Sequence, residues 1–315
     1  MPSPSELAVV VCSRERAGML SDALGTIVLH TPREAEILVV DSASTSAATR
    51  EAAHAAGVRY VRTDTKGLSI ARNVGISATA RPYLVYTDDD CVAVERWTEG
   101  ILERFADERV GAVTGEMIDH TAVDHSAPLG PTRHTRVLAG LDAGHGALMA
   151  FRREVLVELG GFDEVLGAGR HLAGAEDLDI FCRILDAGYA VVHDPSCIVT
   201  HVHTRDDDAY EHLYRGYGLG LGGLVGKWMR LRPIVGMRMF VTLAARTLRR
   251  AVRSRSDARR GPAERAMLAG IISGIRSSRR LALEGGRFVD DDRPAPIVLE
   301  EASHPAASGT TEEGS

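Results

Sequence analysis

The sequence predicts an α/β fold in which a mainly parallel sheet is flanked by helices, and two observations support this prediction. Short apolar runs rich in β-branched residues recur along the first 200 residues, and segments of helical length separate them. Continuous apolar runs are typical of strands that are buried on both faces of a parallel sheet. The 315-residue chain is 44% hydrophobic and 25% charged, which excludes a wholly disordered chain and a polytopic membrane protein.

Strands and helices are predicted to alternate in chain order. The strands cover 8–12, 36–41, 58–63, 82–88, 111–118, 146–152 and a last stretch near 189–199, and the main helices cover 18–30, 45–56, 68–79, 96–106 and 175–188. The long connection over 119–143 is expected to be a mobile loop beside the site. Ligands collect at the carboxyl ends of the strands in such folds, so the polar residues that follow the strands are the candidate site residues.

The charge of the chain is divided unevenly. The net charge of −6 combines −14 over residues 1–213, +14 over 214–287 and −6 over 288–315. We therefore predict an α/β domain over 1–213, a basic and partly amphipathic helical segment over 214–287, and a disordered acidic tail over 288–315. The basic segment contains no uninterrupted run of about 18 apolar residues. It is expected to lie on an anionic membrane surface or, alternatively, to pack on the α/β domain.

Cysteine usage and the first residues predict a reduced, cytoplasmic protein, with peripheral attachment to the inner membrane face as an option. The four cysteines show neither a C-x-x-C pair nor metal-ligand spacing, and no signal segment follows Met1. The glycines of 216–223 do not follow a strand within a βαβ unit, so they do not predict a dinucleotide-binding loop. Close helix packing or a membrane-facing turn is expected there instead.

Three consecutive aspartates, Asp88, Asp89 and Asp90, come at the end of the predicted strand 82–88. Carboxylates clustered at a strand end suit a hard divalent cation, Mg²⁺ or Mn²⁺, which in turn would hold a diphosphate. An exposed acidic turn at a helix start accounts for the same residues without a cation. The sequence leaves both interpretations open.

Further candidate residues lie at a helix start and after the last strand. Glu176 and Asp177 open a predicted helix, where a carboxylate either complements the helix dipole or serves as a general base. His201 and His203 are two apart, so only one of them faces the pocket if the backbone stays extended. Arg72 lies in the first turns of a helix, from which it can reach a phosphate or remain a surface side chain.

The order of these segments resembles a family 2 glycosyltransferase with a GT-A fold, over roughly residues 6–220. The resemblance lies in VVVCSRER, ILVVDSAS, KGLSIARNVGI, YLVYTDDDC, GALMAFRREVLVELGGFDE, AEDLDIFCRILDAGY and the strand that ends in HVH. It implies that 1–213 is the catalytic domain of an inverting transferase. The donor is then a nucleotide-diphosphate sugar, and the cofactor is a divalent cation, Mn²⁺ or Mg²⁺.

The resemblance also assigns residues to the donor site. It places Ser13 and Arg16 beside the base of the nucleotide, Asp41 at the base or ribose, and Arg72 by the nucleotide. Two members of the aspartate triplet complete the donor set, with Asp88 toward the ribose. The six donor-binding candidates are thus Ser13, Arg16, Asp41, Arg72, Asp88 and Asp89.

The metal ligands and the catalytic base follow from the same resemblance. Asp88 and Asp90 match a D-x-D motif, and a late histidine near the metal corresponds to His201 or His203. Asp177 matches the catalytic base of the E-D motif, supported by Glu176. A loop over 119–143 and the region 163–174 are expected to shape the acceptor site.

Two departures from chain-extending members of the family refine the expected activity. The Q-x-x-R-W motif is missing after the E-D helix, and no transmembrane channel follows. We expect transfer of a single sugar to a saccharide or lipid-linked acceptor in cell-envelope or exopolysaccharide synthesis. The alternatives are a sugar-phosphate nucleotidyltransferase, or a non-enzymatic protein that binds nucleic acid or membrane through its arginine-rich segment. Nucleic acid is the less expected partner because few aromatic residues accompany those arginines.

Overall fold

The computed structural model describes residues 1–119, 130–202, 210–257, 259–290 and 296–300. Strands and helices alternate in the first half of the chain as the sequence predicts. In order they are β1 (Leu7–Ser13), α1 (Ala17–His30), β2 (Glu36–Ser42), α2 (Ala48–Ala55), β3 (Arg59–Thr63), α3 (Leu68–Ala78), β4 (Tyr83–Asp88), β5 (Cys91–Ala93), α4 (Glu99–Arg104) and β6 (Val110–Asp119).

The second half of the chain adds strands to the same sheet and then becomes helical. Its elements are β7 (Thr132–His134), β8 (Leu148–Arg152), α5 (Arg153–Glu158), α6 (Glu176–Asp186), β9 (Ala190–His201), α7 (Tyr210–Leu231), α8 (Pro233–Arg253), α9 (Arg260–Ser278), β10 (Leu283–Glu284), β11 (Arg287–Phe288) and β12 (Val298–Glu300). Part of the connection predicted as a mobile loop over 119–143, namely 120–129, lies outside the described residues, and the part after it contains β7.

One large sheet runs through the described part of the chain. Its strand order is β12-β3-β2-β1-β4-β8-β6-β9-β5, and β7 pairs with β9. The strands β3, β2, β1 and β4 are parallel, whereas β8 runs antiparallel between β4 and β6. The half of the sheet around β1 is therefore the predicted parallel half, and the other half is mixed.

Strand β1 lies at the centre of the parallel half and sets the position of the site. Six of its seven residues are buried, as expected for a strand covered on both faces. One apolar cluster packs α1, α2 and α4 on one face of the sheet, and a second packs α3, α5 and α6 on the other. In the register, Ser13 pairs with Asp41 and Cys12 pairs with Asp88, so these strands end at one edge.

Helices α7 and α9 pack against each other through glycines. A Cβ atom added to Gly218 would lie 2.2 Å from the Met267 carbonyl oxygen, and one added to Gly222 would lie 2.1 Å from that of Ile271. Gly270 and Gly274 on α9 make the reciprocal contacts with the backbone of α7. Only glycine allows two helix backbones to approach this closely. The expected close helix packing at 216–223 is therefore confirmed.

The basic segment packs on the α/β domain. Trp228 of α7 is buried in an apolar cluster that also contains Cys182 of α6 and Met239 and Leu243 of α8. Such a shared apolar cluster fixes the helices against the element that begins with Glu176 and Asp177. Among the described residues, no helix has the length and apolarity needed to span a membrane.

The tail departs from the expected disorder where the structure describes it. Strand β12 pairs antiparallel with β3, with Val298 opposite Thr63. The side chain of Phe288 is buried, and its backbone N–H donates a hydrogen bond to Asp163 Oδ2 at 2.8 Å. The physical reason is that β3 would otherwise be an edge strand with unpaired backbone groups, which β12 satisfies. Residues 291–295 and 301–315 lie outside the described residues.

Candidate active site

A cavity of about 1260 Å³ opens at the carboxyl ends of β1 and β4. It lies between that edge of the sheet, the start of α6 and the C-terminal helices. The structure brings most of the predicted site residues to its wall, namely Ser13, Arg16, Arg72, Asp88, Asp89, Asp90, Glu176, Asp177 and His201. Two predicted residues are not among them: Asp41 does not line this cavity, and His203 lies outside the described residues.

The aspartate triplet is not an exposed acidic turn. Asp89 is fully buried, and its carboxylate accepts hydrogen bonds from Ser13 Oγ at 2.6 Å and from Arg16 Nε at 3.1 Å. Arg16 also donates from Nη1 to Asp90 Oδ2 at 2.9 Å. One guanidinium thus offsets two adjacent carboxylates, which would otherwise repel each other in a buried turn. Ser13, Arg16 and Asp89 hold the shape of the turn that presents Asp88 and Asp90.

Arg72 connects the aspartate turn with the start of α6. Its side chain is only 2% exposed, and Nη1 donates to Glu176 Oε1 at 2.9 Å. The distance from Nη2 to Asp88 Oδ1 is 3.7 Å, and the guanidinium carbon lies 5.5 Å from the centre of the Phe162 ring. A buried guanidinium between two carboxylates is a fixed positive charge, because arginine does not lose its proton in proteins.

The acidic pair at the start of α6 lies in the cavity wall beside Arg72. Burial raises the pKa of both Glu176 and Asp177 above their ordinary values, and the charge of Arg72 opposes this rise. The Asp177 carboxylate accepts hydrogen bonds from the backbone N–H groups of Leu178, at 2.8 Å, and of Gly146. Asp177 is therefore held in one orientation with a basicity above that of an ordinary aspartate.

The glycine before β8 makes this orientation possible. A Cβ atom on Gly146 would lie 3.0 Å from Arg72 Nη2 and 3.7 Å from Asp177 Oδ2. The backbone at this position therefore approaches both charged groups more closely than a larger residue allows without displacing Arg72. The sequence analysis did not single out Gly146, since an isolated glycine before a strand has no distinguishing signal.

The donor atoms at the end of β4 fit a hard divalent cation. Asp88, Asp90 and the Cys91 thiol each bring one candidate ligand atom within 4.8 Å of the others, and His201 Nε2 lies 3.5 Å from Asp90 Oδ2. Carboxylate and imidazole ligands suit Mn²⁺. The Cys91 thiol is a soft ligand and suits such a cation less well than the two carboxylates do.

The pKa of Asp88 lies well above that of an ordinary aspartate. Burial is the main cause that raises its pKa to about 7, and the adjacent aspartates Asp89 and Asp90 add to the rise against the opposing charge of Arg72. A carboxylate in this position is partly protonated near neutral pH, and a bound cation would favour its ionised form.

The Asp41 carboxylate is hydrogen-bonded to other residues of the protein and does not line the cavity. It is buried at the end of β2, where Oδ2 accepts a hydrogen bond from Tyr60 at 2.7 Å and Oδ1 accepts one from the Ser44 backbone N–H at 2.8 Å. Both carboxylate oxygens thus have partners within the protein. The neighbouring Ser42 lines the cavity instead.

A buried charge network fixes helix α6 two residues beyond Asp177. Lys227 of α7 is fully buried, with Nζ 2.7 Å from Asp163 Oδ2 and 2.5 Å from Asp179 Oδ1. Arg183 Nε lies 2.9 Å from Asp179 Oδ2. Burial raises the pKa of Asp179, but the charges of Lys227 and Arg183 outweigh it and hold that pKa below its ordinary value. The network joins α7 to the helix that carries the acidic pair.

The C-terminal helices supply cavity residues that the sequence analysis did not predict. Arg246 and Arg250 of α8, Arg259 before α9, and Tyr210 and Tyr217 of α7 all line the cavity. The spacing of Arg246 and Arg250 places them on one helix face. Nothing local in the sequence indicates that this face meets the sheet edge, because that contact arises from tertiary packing.

Comparison with known proteins relates the chain to one family. Residues 8–160 match the family model described as glycosyl transferase family 2. Over this stretch, which is just under half of its length, the chain is similar to that family. The matched range ends just after α5, so it includes β1, the aspartate turn and Arg72 but not the acidic pair.

Curated relatives of this chain share low identity with it. A pre-mycofactocin glycosyltransferase of Mycobacterium tuberculosis is 25% identical over 236 residues, which cover 68% of this chain and 47% of the relative. An O-antigen chain rhamnosyltransferase of Salmonella typhimurium is 21% identical over 242 residues, which cover 71% of this chain and 74% of the relative. The chain thus spans about half the length of the first of these relatives.

Solved structures confirm the predicted GT-A fold of this chain. A mannosyltransferase from Pyrobaculum calidifontis, solved in complex with GDP-Man and Mn²⁺, matches with a TM-score of 0.62 and 21% identity over 88% of this chain and 90% of that one. GalNAc-T7, solved with UDP, GalNAc and Mn²⁺, matches with a TM-score of 0.51 and 18% identity over 67% and 47% of the two chains. At these identities the likeness shows the fold.

Proposed function

We propose that this chain transfers a single sugar from a nucleotide-diphosphate sugar to an acceptor hydroxyl, with inversion at the anomeric carbon. The proposal rests on one observation: the buried Arg72 guanidinium lies between Asp88 of the aspartate turn and Glu176 of the acidic pair. Arg72, which we assign to the diphosphate, and Asp177, which we assign as the base, line the same cavity, and this supports the proposal. The two solved relatives with nucleotide or nucleotide sugar and Mn²⁺ support a donor of this class.

Asp88 and Asp90, with His201 beside them, would hold a divalent cation, Mn²⁺ or Mg²⁺. When bound, the cation would supply positive charge that neutralises the diphosphate. Arg72 supplies a second positive charge, which is fixed by Glu176 and does not need to reorganise during the reaction. Arg16 and Ser13 preserve the turn through Asp89, and we assign them to the base side of the donor.

Asp177 is the proposed general base. It accepts the proton of the acceptor hydroxyl while the hydroxyl oxygen forms a bond to the anomeric carbon from the face opposite the diphosphate. The bond between that carbon and the diphosphate oxygen breaks, and its electron pair leaves with the diphosphate. A single displacement of this kind inverts the anomeric centre. The raised pKa of Asp177 makes it a stronger base, and Arg72 still favours its ionised form.

The experiment compares Asp177→Asn with the native chain for turnover and for donor binding. We expect turnover to fall by about a thousandfold or more, in line with loss of a general base and of the orientation it gives. Donor affinity should change less than threefold, because Asp177 is assigned to the acceptor hydroxyl. Glu154→Gln, at a side chain that is 75% exposed on α5, is the matched control. Normal turnover by Asp177→Asn would refute the assignment.

We also propose that α8 rests on an anionic membrane surface, which suits a lipid-linked acceptor in cell-envelope synthesis. Its outer face exposes five large apolar side chains, and the helix contains arginines but no Asp or Glu between Pro233 and Arg253. The five are Ile234, Met237, Val241, Leu248 and Val252. An apolar stripe flanked by arginines is typical of helices that lie in the membrane interface.

The membrane proposal is tested by flotation of the whole chain with vesicles. The native chain should float with phosphatidylglycerol-containing vesicles at low salt and remain at the bottom with phosphatidylcholine alone. Met237→Ser and Val241→Ser together should reduce flotation several-fold. Equal recovery of native and variant chains with anionic vesicles would contradict the assignment to α8.

A further inference from the structure

The cavity has more room than a donor alone needs, and its far wall is chemically distinct. Ligand pockets usually have volumes of about 300–1,000 Å³, whereas this cavity measures about 1260 Å³. The carboxylates that line it come from the sheet edge and the start of α6. Among the described lining residues, the helical wall from α7 to α9 supplies three arginines and no carboxylate.

Two of the three arginines form ion pairs with carboxylates that do not line the cavity. Arg246 donates to both carboxylate oxygens of Asp142, at 2.7 and 2.8 Å, and Arg250 Nε lies 3.0 Å from the buried Glu264. These contacts use only some of the five N–H donors of a guanidinium. An ion pair of this kind restricts the orientation of the arginine side chain, as binding sites require.

Aromatic rings lie beside the arginines. The guanidinium of Arg259 stacks 4.3 Å from the centre of the Tyr210 ring, and the rings of Tyr210 and Tyr214 are 4.5 Å apart. Tyr217 continues this row along α7. Flat rings offer a surface against which the apolar face of a sugar ring packs, next to donors that bind its polar groups.

The same wall lies next to the proposed base. A Cβ atom on Gly174 would be 3.4 Å from Tyr217 Cδ1, and Gly174 precedes Glu176 by two residues. Tyr217 thus lies beside the loop that leads into the acidic pair, in the same cavity as Asp177. The sheet edge, with Arg72 and the aspartate turn, remains for the donor.

We propose that the cavity wall formed by the side chains of Tyr210, Tyr217, Arg250 and Arg259 is an acceptor subsite for an acidic saccharide. The sugar ring of such a saccharide carries a carboxylate or phosphate group. The inference rests on the proposed glycosyltransferase function and adds the chemical class of the acceptor to it. The ring packs on the tyrosines, and the anionic group receives hydrogen bonds from the arginines. Charge-assisted hydrogen bonds of this type are about twice as strong as neutral ones.

The test uses two probes that differ only at C6, 4-nitrophenyl β-D-glucopyranoside with a neutral hydroxymethyl group and 4-nitrophenyl β-D-glucuronide with a carboxylate. Binding to the full chain is measured by calorimetry with Mn²⁺ and a saturating nucleoside diphosphate, UDP or GDP, so that the donor side is occupied. We expect the glucuronide to bind at least fivefold more tightly. Arg250→Gln and Arg259→Gln should each remove most of that preference, whereas Tyr217→Ala should weaken both probes.

Arg238→Gln, an exposed arginine on α8 that does not line the cavity, is the matched control and should leave the preference intact. Equal binding of the two probes, a preference that survives Arg250→Gln, or binding of neither probe at millimolar concentration would each overturn the subsite. Binding of UDP or GDP with Mn²⁺ is measured first in every variant. Its absence from the native chain counts against the proposed function, whereas its presence with equal probe binding counts against the subsite alone.

Discussion

Replacement of Lys227 by methionine tests whether the C-terminal helices stabilise the catalytic edge of the fold. The lysine ammonium is fully buried between Asp163 and Asp179. Methionine keeps most of the side-chain volume but removes the positive charge. Asp179 then keeps its ion pair with Arg183, whereas Asp163 loses its ion pair with Lys227. Removal of one partner from a buried ion pair costs about 3–5 kcal/mol. We expect the free energy of unfolding to fall by that amount and the Tm by roughly 10 °C.

The assay is thermal and urea unfolding of the native chain, Lys227→Met and a charge-balanced double variant. Asp163→Asn combined with Lys227→Met leaves Asp179 paired with Arg183, so the double variant should regain at least half of the lost stability. Lys66→Met removes the other lysine of the chain, which is exposed, and should change stability by less than about 0.5 kcal/mol. A loss below 1 kcal/mol for Lys227→Met, or no recovery in the double variant, would refute the reasoning.

Three further predictions address the metal site, the base and the helix packing. Asp90→Ala should weaken Mn²⁺-dependent donor binding about tenfold or more and leave binding in the presence of a chelator unchanged, as measured by calorimetry. Because burial raises the pKa of Asp177 and only its ionised form accepts a proton, kcat should fall with decreasing pH well before an ordinary aspartate titrates; a profile that stays flat down to about pH 4 would argue against this base. Gly222→Ala should destabilise the chain by about 1–3 kcal/mol in thermal unfolding because its Cβ atom would meet the Ile271 carbonyl oxygen. Gly25→Ala, at an exposed helical position with open space, should not destabilise it.

The parallel half of the sheet was predictable because its signals are local. Buried strands need continuous apolar residues, so runs such as 8–12 and 82–88 show in the sequence directly. The position of Asp88 and Asp90 followed from the rule that parallel strands end at one edge. The order of the seven segments quoted from the sequence also suggested the family, and residues 8–160 match its family model.

The hydrogen-bond partners of individual site side chains were less predictable because they come from distant parts of the sequence. Asp41 and Asp89 both follow strands, yet their carboxylates are occupied by Tyr60 in one case and by Ser13 and Arg16 in the other. These partners are distant from the aspartates in the sequence and meet them only in the folded chain. The strand over Val298–Glu300 was missed for a related reason, since a run of three residues is too short to signal a strand and is ordered by the sheet edge that it covers.

The role of the basic segment shows how composition alone misleads. Its +14 charge suggested a surface-binding segment, and the outer face of α8 retains that possibility. The inner faces of the same helices instead hold Trp228 in an apolar cluster, Lys227 in an ion-pair network and three arginines in the cavity wall. Charge counts do not distinguish these environments, whereas packing does.

Calorimetric binding of uridine, thymidine and guanosine diphosphate sugars, each with Mn²⁺ and with a chelator, tests the central claim most directly. The arrangement of Asp88, Asp90, Arg72 and His201 predicts that at least one of these donors binds with Mn²⁺ and loses most of its affinity when the metal is removed. Folded protein that binds none of the donors with Mn²⁺, or that binds them equally well with a chelator, would contradict the proposed donor site.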